Sequence, residues 1–356
     1  MSQIMVFGGG SWGSTLAVHL ARRGCPVRLW DRDPVQRERL LRRRGTRSQE
    51  SQDRFGSLSS SIDATGKVVV ELPDLVEVIC EDDAPAAGGF AVVAVPSHGL
   101  RSLLARQPRG LAATWVIATK GLEEETCLTM SQVARECLGP DAAVVVLAGP
   151  SLAPEVLEQK PTAILAASAD RAAAGRVQAL FATERFRVYT SGDPLGVEIG
   201  TALKNVVAIA SGIADGLGLG QNARGALLTR GLVEIMRLGV ACGARAETFL
   251  GLAGVGDLVT TCTSPLSRNY TLGRALGEGE RLEAALARIG MVVEGVRTTR
   301  AAVDLAKRVQ VEMPIAAQVA RILFGGVAPI DALEELMARP LRAEVDRDGA
   351  PEGSGR

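Results

Sequence analysis

The stretch IMVFGGGSWGSTLAVHLARR, residues 4–23, joins an apolar run, a glycine-rich turn and a helix-forming segment. This order predicts a strand, a tight turn and a helix. In the spacing G-x-G-x-x-G, Gly8 allows the sharp turn, Gly10 admits a pyrophosphate close to the backbone, and Gly13 lets the helix pack on the strand. A diphosphate can then bind the free N–H groups at the helix start. The stretch predicts a dinucleotide site; the alternative is a glycine-rich turn in an α/β domain without a ligand.

Asp31 strengthens the dinucleotide interpretation. It closes a second apolar run, Val27–Trp30. An acidic residue at this distance from the glycine turn meets a ribose hydroxyl of the bound dinucleotide.

The composition is that of an ordinary globular protein of a size that allows two domains. The chain has 356 residues, 47% hydrophobic and 22% charged, with a formal net charge of zero. A zero net charge provides no global field toward nucleic acid or an anionic membrane, so neither is expected as a partner. Six scattered cysteines and two histidines argue against a disulfide framework and against a metal site. The sequence shows no signal-peptide pattern and no long uncharged apolar run, and we expect a cytoplasmic location.

Short apolar runs recur through the first half and are continuous rather than alternating. This pattern is typical of a sheet covered on both faces, and predicts an α/β Rossmann-type doubly wound parallel sheet. The predicted strands are Ile4 to Phe7, Val27 to Trp30, Val76 to Cys80, Phe90 to Val95, Trp115 to Thr119, Val144 to Ala148, Ala163 to Ala167 and Arg187 to Thr190.

From about Leu195 the sequence changes to long alanine- and leucine-rich periodic segments, which predict an all-α C-terminal domain. Turn residues near Ser191 to Pro194 mark the boundary. We therefore expect a dinucleotide-binding domain at 1–192, a helical substrate domain at 193–345 and a disordered tail at 346–356. The polar run from Thr46 to Lys67, after the Arg42 to Arg44 cluster, predicts an extended or mobile excursion.

Carbonyl reduction by a nicotinamide cofactor requires a group that protonates the carbonyl oxygen as hydride reaches carbon. His19 lies in the first helix and is expected to be packed there, and His98 at a strand end is at best a neighbour of the cofactor. Lysine is rare in this arginine-rich chain, at Lys67, Lys120, Lys160, Lys204 and Lys307.

Two of these lysines lie in apolar settings, where an amine that can lose its proton is useful. Lys120 ends a predicted strand, and Lys204 has apolar neighbours on most of a predicted helix. Two lysines brought together lower each other's pKa, and an aspartate can orient one of them. The ordinary alternative for Lys204 is a solvated helix lysine.

The segment Thr260 to Asn269 is a candidate phosphate anchor. It contains hydroxyl groups, Pro265 suited to a first helical turn, and then Arg268 and Asn269. A helix N-terminus with one guanidinium can hold a phosphate dianion. A capped helix with a surface arginine is the alternative.

Taken together, these segments closely resemble the bacterial NAD(P)-dependent glycerol-3-phosphate dehydrogenases. The resemblance covers most of the chain in family order and is most specific over residues 198–279. The matching segments are GGGSWGSTLA at 8–17, VPSHGLRSLL at 95–104, ATKGLE at 118–123, AGPSLAPE at 148–155, the block from EIGTALKN at 198 to TRGL at 232, the block from GLAGVGDL at 251 to LGEG at 279, and VVEGVRTTRAA at 292–302.

The resemblance implies a role for each matching residue. Lys204 is the implied proton donor and acceptor, Lys120 contacts both cofactor and substrate, and Asp257 orients the Lys204 ammonium. The implied substrate contacts are Lys120, Gly149, Ser151, Lys204, Asp257, Ser267, Arg268 and Asn269. The implied cofactor contacts, with those of the glycine turn, are Gly8, Gly10, Ser11, Trp12, Gly13, Asp31, Arg32, Lys120, Ala153, Arg268, Val292 and Glu294. The implied reaction is reversible reduction of dihydroxyacetone phosphate to sn-glycerol 3-phosphate for glycerophospholipid synthesis, by a homodimer.

The sequence departs from the family pattern between about Arg42 and Leu75, which flanks the adenosine side of the cofactor. Asp31 favours a free ribose hydroxyl and therefore NAD, whereas Arg32 and the Arg42 to Arg44 cluster favour the 2′-phosphate of NADP. The cofactor is thus predicted as NAD or NADP. Two other functions stay open: a related two-domain reductase of a small hydroxy acid, and a dinucleotide-responsive binding protein without chemistry.

Overall fold

The computed structural model describes residues 3–42, 61–62, 68–80, 88–108, 113–341 and 344. The predicted tail at 346–356 lies outside the described residues, as does the predicted excursion from Thr46 to Lys67 except for residues 61–62. Of the Arg42 to Arg44 cluster, only Arg42 is described.

The first half of the molecule is an eight-stranded sheet with helices on both faces. The strands of the chain are β1 Ile4–Phe7, β2 Val27–Trp30, β3 Ser61–Ile62, β4 Val68–Val69, β5 Val76–Ile79, β6 Phe90–Val93, β7 Thr114–Ile117, β8 Ala143–Ala148, β9 Thr162–Ala167 and β10 Phe186–Ser191. The helices of this half are α1 Ser11–Arg22, α2 Pro34–Arg42, α3 Ser97–Leu104, α4 Met130–Leu138, α5 Ala153–Leu157 and α6 Arg171–Phe181. The sheet order is β10-β9-β8-β7-β6-β1-β2-β5, and β3 pairs with β4 in a separate two-stranded sheet.

The strand order reverses between β1 and β6, and ligands bind open α/β sheets at such a switch point, outside the carboxyl ends of the strands. The central strands are buried on both faces, as their continuous apolar sequences predicted. Val6, Val92 and Val116 pack in one apolar core, while Phe7 and Ile117 pack in another on the opposite face. The predicted Rossmann-type fold is confirmed, and the carboxyl edge of the sheet is where the site is expected.

One part of the sheet differs from the predicted all-parallel arrangement. Strand β9 runs antiparallel to β8, and β10 is parallel to β9. The connection from β8 to β9 contains only the five-residue α5. Such a helix spans about 7 Å, which is too short to return the chain to the opposite edge for a parallel pairing.

The second half consists of helices joined by short loops, with no strand among its described residues. Its elements are α7 Pro194–Gly216, α8 Gly220–Ala241, α9 Ala246–Phe249, a π-helical turn Leu252–Gly256, α10 Asp257–Thr263, α11 Arg268–Gly277, α12 Leu282–Ile289, α13 Glu294–Arg308, α14 Pro314–Gly325 and α15 Pro329–Met337. The prediction that this half is helical is confirmed. Helix α7 begins at Pro194, three residues after β10 ends at Ser191.

Helix α7 forms the centre of this half. Pro194 starts it, and the Asp193 side chain accepts a hydrogen bond from Gly196 N at 3.0 Å. By length and composition alone α7 could cross a membrane. However, 94% of its most apolar 18-residue stretch is buried inside the molecule, so α7 is a core helix.

Helix α11 packs unusually closely on α7 because glycines meet backbone at the crossing. A Cβ on Gly212 would lie 2.1 Å from the carbonyl oxygen of Tyr270, and a Cβ on Gly273 would lie 2.0 Å from that of Ile209. Any larger residue would separate the helices. The contact therefore fixes the start of α11 against the middle of α7.

Candidate active site

The glycine turn connects β1 to α1 and requires glycine at two positions. Gly8 has a φ of +109°, and a Cβ on it would lie 2.7 Å from the carbonyl oxygen of Ala94. A Cβ on Gly13 would lie 1.8 Å from the carbonyl oxygen of Gly8. The turn is held further by the Gly8 N–H, which donates to Trp30 O at 2.7 Å.

The start of α1 leaves room and donors for an anion. Gly10 is the N-cap residue without a side-chain cap, and a Cβ on it would meet nothing within 4 Å. Ser11 begins the helix, and the indole Nε1 of Trp12 is buried without a hydrogen-bond partner among the described residues. An open N-terminus with free N–H groups and an unpaired donor suits the diphosphate of a dinucleotide.

Asp31 is held against this turn. Its Oδ2 accepts from Gly9 N at 2.6 Å and its Oδ1 from Asp33 N at 2.8 Å. A carboxylate has further lone pairs, so Asp31 can still accept from a ribose hydroxyl. Arg32 is exposed beside it. Both groups suggested by the sequence thus lie beside the glycine turn.

Three charged side chains from distant segments meet where the two halves join. Lys120 follows β7, Lys204 lies on α7, and Asp257 begins α10. Asp257 is 1% exposed and pairs with both lysines: Oδ1 with Lys204 Nζ, and Oδ2 with Lys120 Nζ at 3.2 Å. The predicted association of two lysines with an aspartate is therefore present in the structure.

Lys204 is poised to exchange a proton near neutral pH. It is 5% exposed, and its Nζ also donates to Thr261 Oγ1 at 2.8 Å. Burial, opposed by the Asp257 carboxylate and reinforced by Lys120, lowers the pKa of the Lys204 amine to about 7. A lysine with a pKa near ambient pH can act as both general acid and general base. The solvated-lysine alternative does not describe Lys204.

The carbonyl of Gly149 ties the Lys120 ammonium to the end of β8. It accepts from Lys120 Nζ at 3.1 Å and from Ser151 Oγ at 3.0 Å. Gly149 has a φ of +138°, a conformation suited to glycine. Ala153 is the first residue of α5, just beyond this turn. The residues from the AGPS segment thus line the same edge of the sheet as Lys120.

The SRN triplet lies at the start of α11. Ser267 caps the helix by accepting from Tyr270 N at 3.3 Å. Asn269 donates to Asn205 Oδ1 at 2.9 Å and accepts from Gly295 N at 2.9 Å. The neighbour of Lys204 is thereby bound to the neighbour of Arg268, which connects the lysine cluster with the start of α11.

Arg268 and Glu294 lie at the starts of α11 and α13. Arg268 is exposed and donates to Val292 O at 2.7 Å, and Val292 is itself 40% exposed. Glu294, at the start of α13, accepts from Ser97 Oγ at 2.9 Å; Ser97 begins α3, after β6. Burial raises the pKa of the Glu294 carboxyl group, opposed by the Ser97 hydroxyl and the charge of Arg268.

The helix at this anchor begins later than the sequence suggested. Pro265 was expected in a first helical turn, but α10 ends at Thr263 and α11 starts at Arg268. The stronger cap is Ser267, whose hydroxyl bonds a free N–H, and this leaves Pro265 in the connecting loop.

Neither histidine belongs to the lysine cluster. The Nε2 of His19 lies 2.7 Å from Phe181 O, its ring stacks on Phe181, and burial lowers its pKa to about 4. His98 is exposed at the start of α3, and partial desolvation together with the charges of Arg297 and Arg32 lowers its pKa. Among the described residues, no group of three potential metal ligands comes together.

Three polar residues that hold the site had no role assigned from the sequence: Thr261, Asn205 and Ser97. Thr261 lies one turn after Asp257, a spacing that places both on one face of α10. Asn205 follows Lys204 directly, and Ser97 stands at a strand end beside His98, at the edge where ligands bind. The positions of these three residues in the sequence, each close to a candidate site residue, could have identified them.

The comparisons with known proteins agree across the whole chain. Residues 3–174 match a family model described as the NAD-dependent glycerol-3-phosphate dehydrogenase N-terminus, and residues 193–334 match the one for its C-terminus. A glycerol-3-phosphate dehydrogenase (NAD(P)+) of Acidithiobacillus ferrooxidans is 47% identical over 99% of this chain and 98% of its own length. One from Salinibacter ruber is 45% identical over 96% of each chain.

Solved structures give the same result. The crystal structure of glycerol-3-phosphate dehydrogenase from Coxiella burnetii superposes with a TM-score of 0.84 at 36% identity, covering 95% of this chain and 99% of that one. D-mandelate dehydrogenase, with a TM-score of 0.51 at 12% identity, shares the fold alone. The chain belongs to the NAD(P)-dependent glycerol-3-phosphate dehydrogenase family.

Proposed function

We propose that this chain catalyses the reversible reduction of dihydroxyacetone phosphate to sn-glycerol 3-phosphate with NADH or NADPH. The observation that carries the proposal is Lys204, a buried amine with a pKa of about 7 paired with Asp257. Family membership supports the substrate and the cofactor. The product serves glycerophospholipid synthesis.

The cofactor supplies a hydride to the carbonyl carbon when it is bound. Lys204 donates its proton to the carbonyl oxygen, so that the ketone becomes a secondary alcohol and the lysine becomes a neutral amine. In the reverse direction the neutral amine removes the alcohol proton. Asp257 stabilises the charged form of Lys204, and Thr261 fixes the direction of its Nζ.

Lys120 orients the substrate and tunes the proton donor. Its ammonium is held by Gly149 O and Asp257, and one-fifth of the side chain is exposed. A second positive charge this close favours the neutral form of Lys204 and attracts the oxygen atoms of the substrate. Gly149 and Ser151 follow the end of β8 and line the space beside the Lys120 ammonium.

The phosphate is held at the start of α11. Arg268 offers a guanidinium there, and the first turn of the helix provides backbone N–H groups at its positive end. Asn269 and Ser267 fix this helix start through their hydrogen bonds to Gly295 and Tyr270. The cofactor diphosphate binds at Gly10, Ser11 and Trp12, with Asp31 and Arg32 at the adenosine end and Ala153, Val292 and Glu294 flanking it.

A direct assay tests the proposal. Purified protein is mixed with NADH or NADPH, and absorbance at the nicotinamide band is followed after addition of dihydroxyacetone phosphate. We expect consumption that depends on the substrate, and the rates with the two cofactors give the preference. Unphosphorylated dihydroxyacetone and a small 2-keto acid serve as controls. Equal rates with the keto acid, or no consumption of either cofactor, would refute the proposal.

The family likeness alone suggests that the enzyme is a cytoplasmic homodimer. Light scattering after size exclusion should give twice the mass of one chain. Fractionation of the source cells should place the activity in the cytosolic fraction.

A further inference from the structure

A buried carboxylate joins the helix of Lys204 to the segment that carries Lys120. Glu198 lies on α7 and is 4% exposed. Its Oε1 accepts from Ser131 N at 2.7 Å, and its Oε2 accepts from Ser131 Oγ at 2.5 Å. Ser131 is in the first turn of α4, so the carboxylate binds a helix end whose N–H groups have no partner within the helix.

Helix α4 ends the loop that begins with Lys120. Leu122 and Thr129 form an isolated antiparallel bridge across this loop. Thr129 is also the N-cap of α4, and it forms a capping box with Gln132. The position of Ser131 therefore determines that of Thr129, of its partner Leu122, and of Lys120 two residues earlier.

Burial of the Glu198 carboxylate is not explained by folding stability. Burial raises the pKa of the Glu198 carboxyl group, opposed by hydrogen bonds from Ser131 and Thr129 and by the charge of Arg135. A buried carboxylate is often less favourable than an apolar side chain of similar volume. Both of its oxygens accept from Ser131 in the other half, and this pair of bonds defines a position rather than adding packing.

We propose that Glu198 is a positioning residue that fixes the place of Lys120 relative to Lys204 across the two halves of the molecule. The proposal rests on the proposed function of the two lysines. It assigns no contact with substrate or cofactor to Glu198.

The pKa of Lys204 reports on this geometry. The charged and titratable groups facing Lys204 are Asp257 from α10, Lys120 from the loop after β7, and the buried thiol of Cys262. Lys120 lowers the pKa of Lys204, and Asp257 raises it. If the bonds between Glu198 and Ser131 are lost and Lys120 moves away, its positive charge lowers the pKa of Lys204 less. The effect of Asp257 then dominates, and the pKa of Lys204 rises.

The chain offers a matched control in Glu234. This glutamate of α8 is 6% exposed and accepts from Ile315 N at 2.8 Å and Ala316 N at 3.3 Å, at the start of α14. Burial raises its pKa to about 7. Glu234 and Glu198 thus resemble each other in burial and in their helix-end partners, but α14 does not carry either lysine.

The experiment measures reduction of dihydroxyacetone phosphate against pH for the wild type, E198A, E198Q, E234A and K120M. In E198A, kcat/KM is expected to fall by tenfold or more, on the scale of small displacements of catalytic groups, and the alkaline limb moves to higher pH, as in K120M. E198Q stays near the wild type, because its amide can accept from Ser131 N and donate to Ser131 Oγ. E234A loses thermal stability but keeps the alkaline limb of the wild type.

A double variant tests whether Glu198 acts through Lys120. In the K120M background, E198A is expected to cause no further shift of the limb. If E198A does not fold, S131A replaces it, and a smaller shift in the same direction is expected. The inference would be overturned if the alkaline limb stayed at the wild-type pH in E198A, or in S131A where that variant replaces it. It would also be overturned if E198A shifted the limb further in the K120M background. An inactive wild type would instead refute the proposed function.

Discussion

The glycine turn and the lysine cluster are built in different ways. The turn is one continuous segment, and it offers backbone N–H groups whose position depends on the absence of side chains at Gly8 and Gly13. The cluster is assembled from three segments, with Lys120 and Asp257 137 residues apart, and it works through side-chain charge. Binding of the cofactor at Gly10 and transfer of the proton at Lys204 are therefore separable, and a variant at either residue should leave the other process intact.

The largest expected effect is that of Lys204→Ala. Removing the proton donor should lower kcat by about 10³-fold, within the usual range for general acid catalysis. NADH affinity, measured by fluorescence titration, should change little because the glycine turn lies in the other half. Lys307→Ala, an exposed lysine of α13, is the control. Turnover by K204A equal to that of the wild type would break the assignment.

Arg268→Ala should act on the substrate rather than on the proton. Loss of a charged hydrogen bond costs roughly 1.5–3 kcal/mol, which corresponds to a rise in KM for dihydroxyacetone phosphate of about 10- to 100-fold. The rate with unphosphorylated dihydroxyacetone should stay the same. Arg274→Ala, on the same helix and paired with Glu278, is the control. A KM unchanged in R268A would show that the phosphate binds elsewhere.

Two glycine substitutions should separate folding from binding within the turn. Gly13→Ala places a methyl group against the Gly8 carbonyl and should lower the free energy of unfolding by about 2 kcal/mol. Gly10→Ala places it in open space, so thermal stability should persist while the dissociation constant for NADH rises by about tenfold. Thermal melts and fluorescence titrations of both variants test this. Unaltered affinity in G10A would mean that the diphosphate does not approach Gly10.

The smallest effect concerns pH. Because reduction needs the ammonium form of Lys204, its kcat/KM should fall by about tenfold per unit above the pKa, which is about 7. Oxidation of glycerol 3-phosphate needs the neutral amine, so its rate should rise up to that pH and then level off. Asp257→Asn removes the charge that raises this pKa, and the limb should move to lower pH. If the alkaline limb of kcat/KM lay at the same pH in D257N and in the wild type, the role of Asp257 would be contradicted.

The sequence predicted the sheet well because a strand buried on both faces is a continuous apolar run. All eight strands of the main sheet begin and end within two residues of the predicted limits. The reversal at β9 was not predicted, since an apolar run does not encode strand direction. It follows from the shortness of α5, a property of the connection rather than of the strand.

The site was only partly accessible from the sequence. Lys204 and Lys120 stood out because lysine is rare in this chain and both lie in apolar settings. Glu198 did not, because a polar residue within an apolar helix acquires its role only after packing brings Ser131 against it. The cofactor preference depends on the balance of Asp31 and Arg32, which their positions alone do not decide.

The active site depends on the number of residues between the start of α7 and Lys204. Ser191 ends β10 opposite the middle of β8, because Ser191 pairs with Ala167 and Ala167 with Val146. Lys204 lies about 15 Å along α7 from Pro194, at 1.5 Å per residue, and at this distance its amine meets Asp257, which also pairs with Lys120. One residue inserted in this stretch would also turn Lys204 by about 100° around the axis. The number of residues between the last strand and the proton donor is therefore as constrained as their identity.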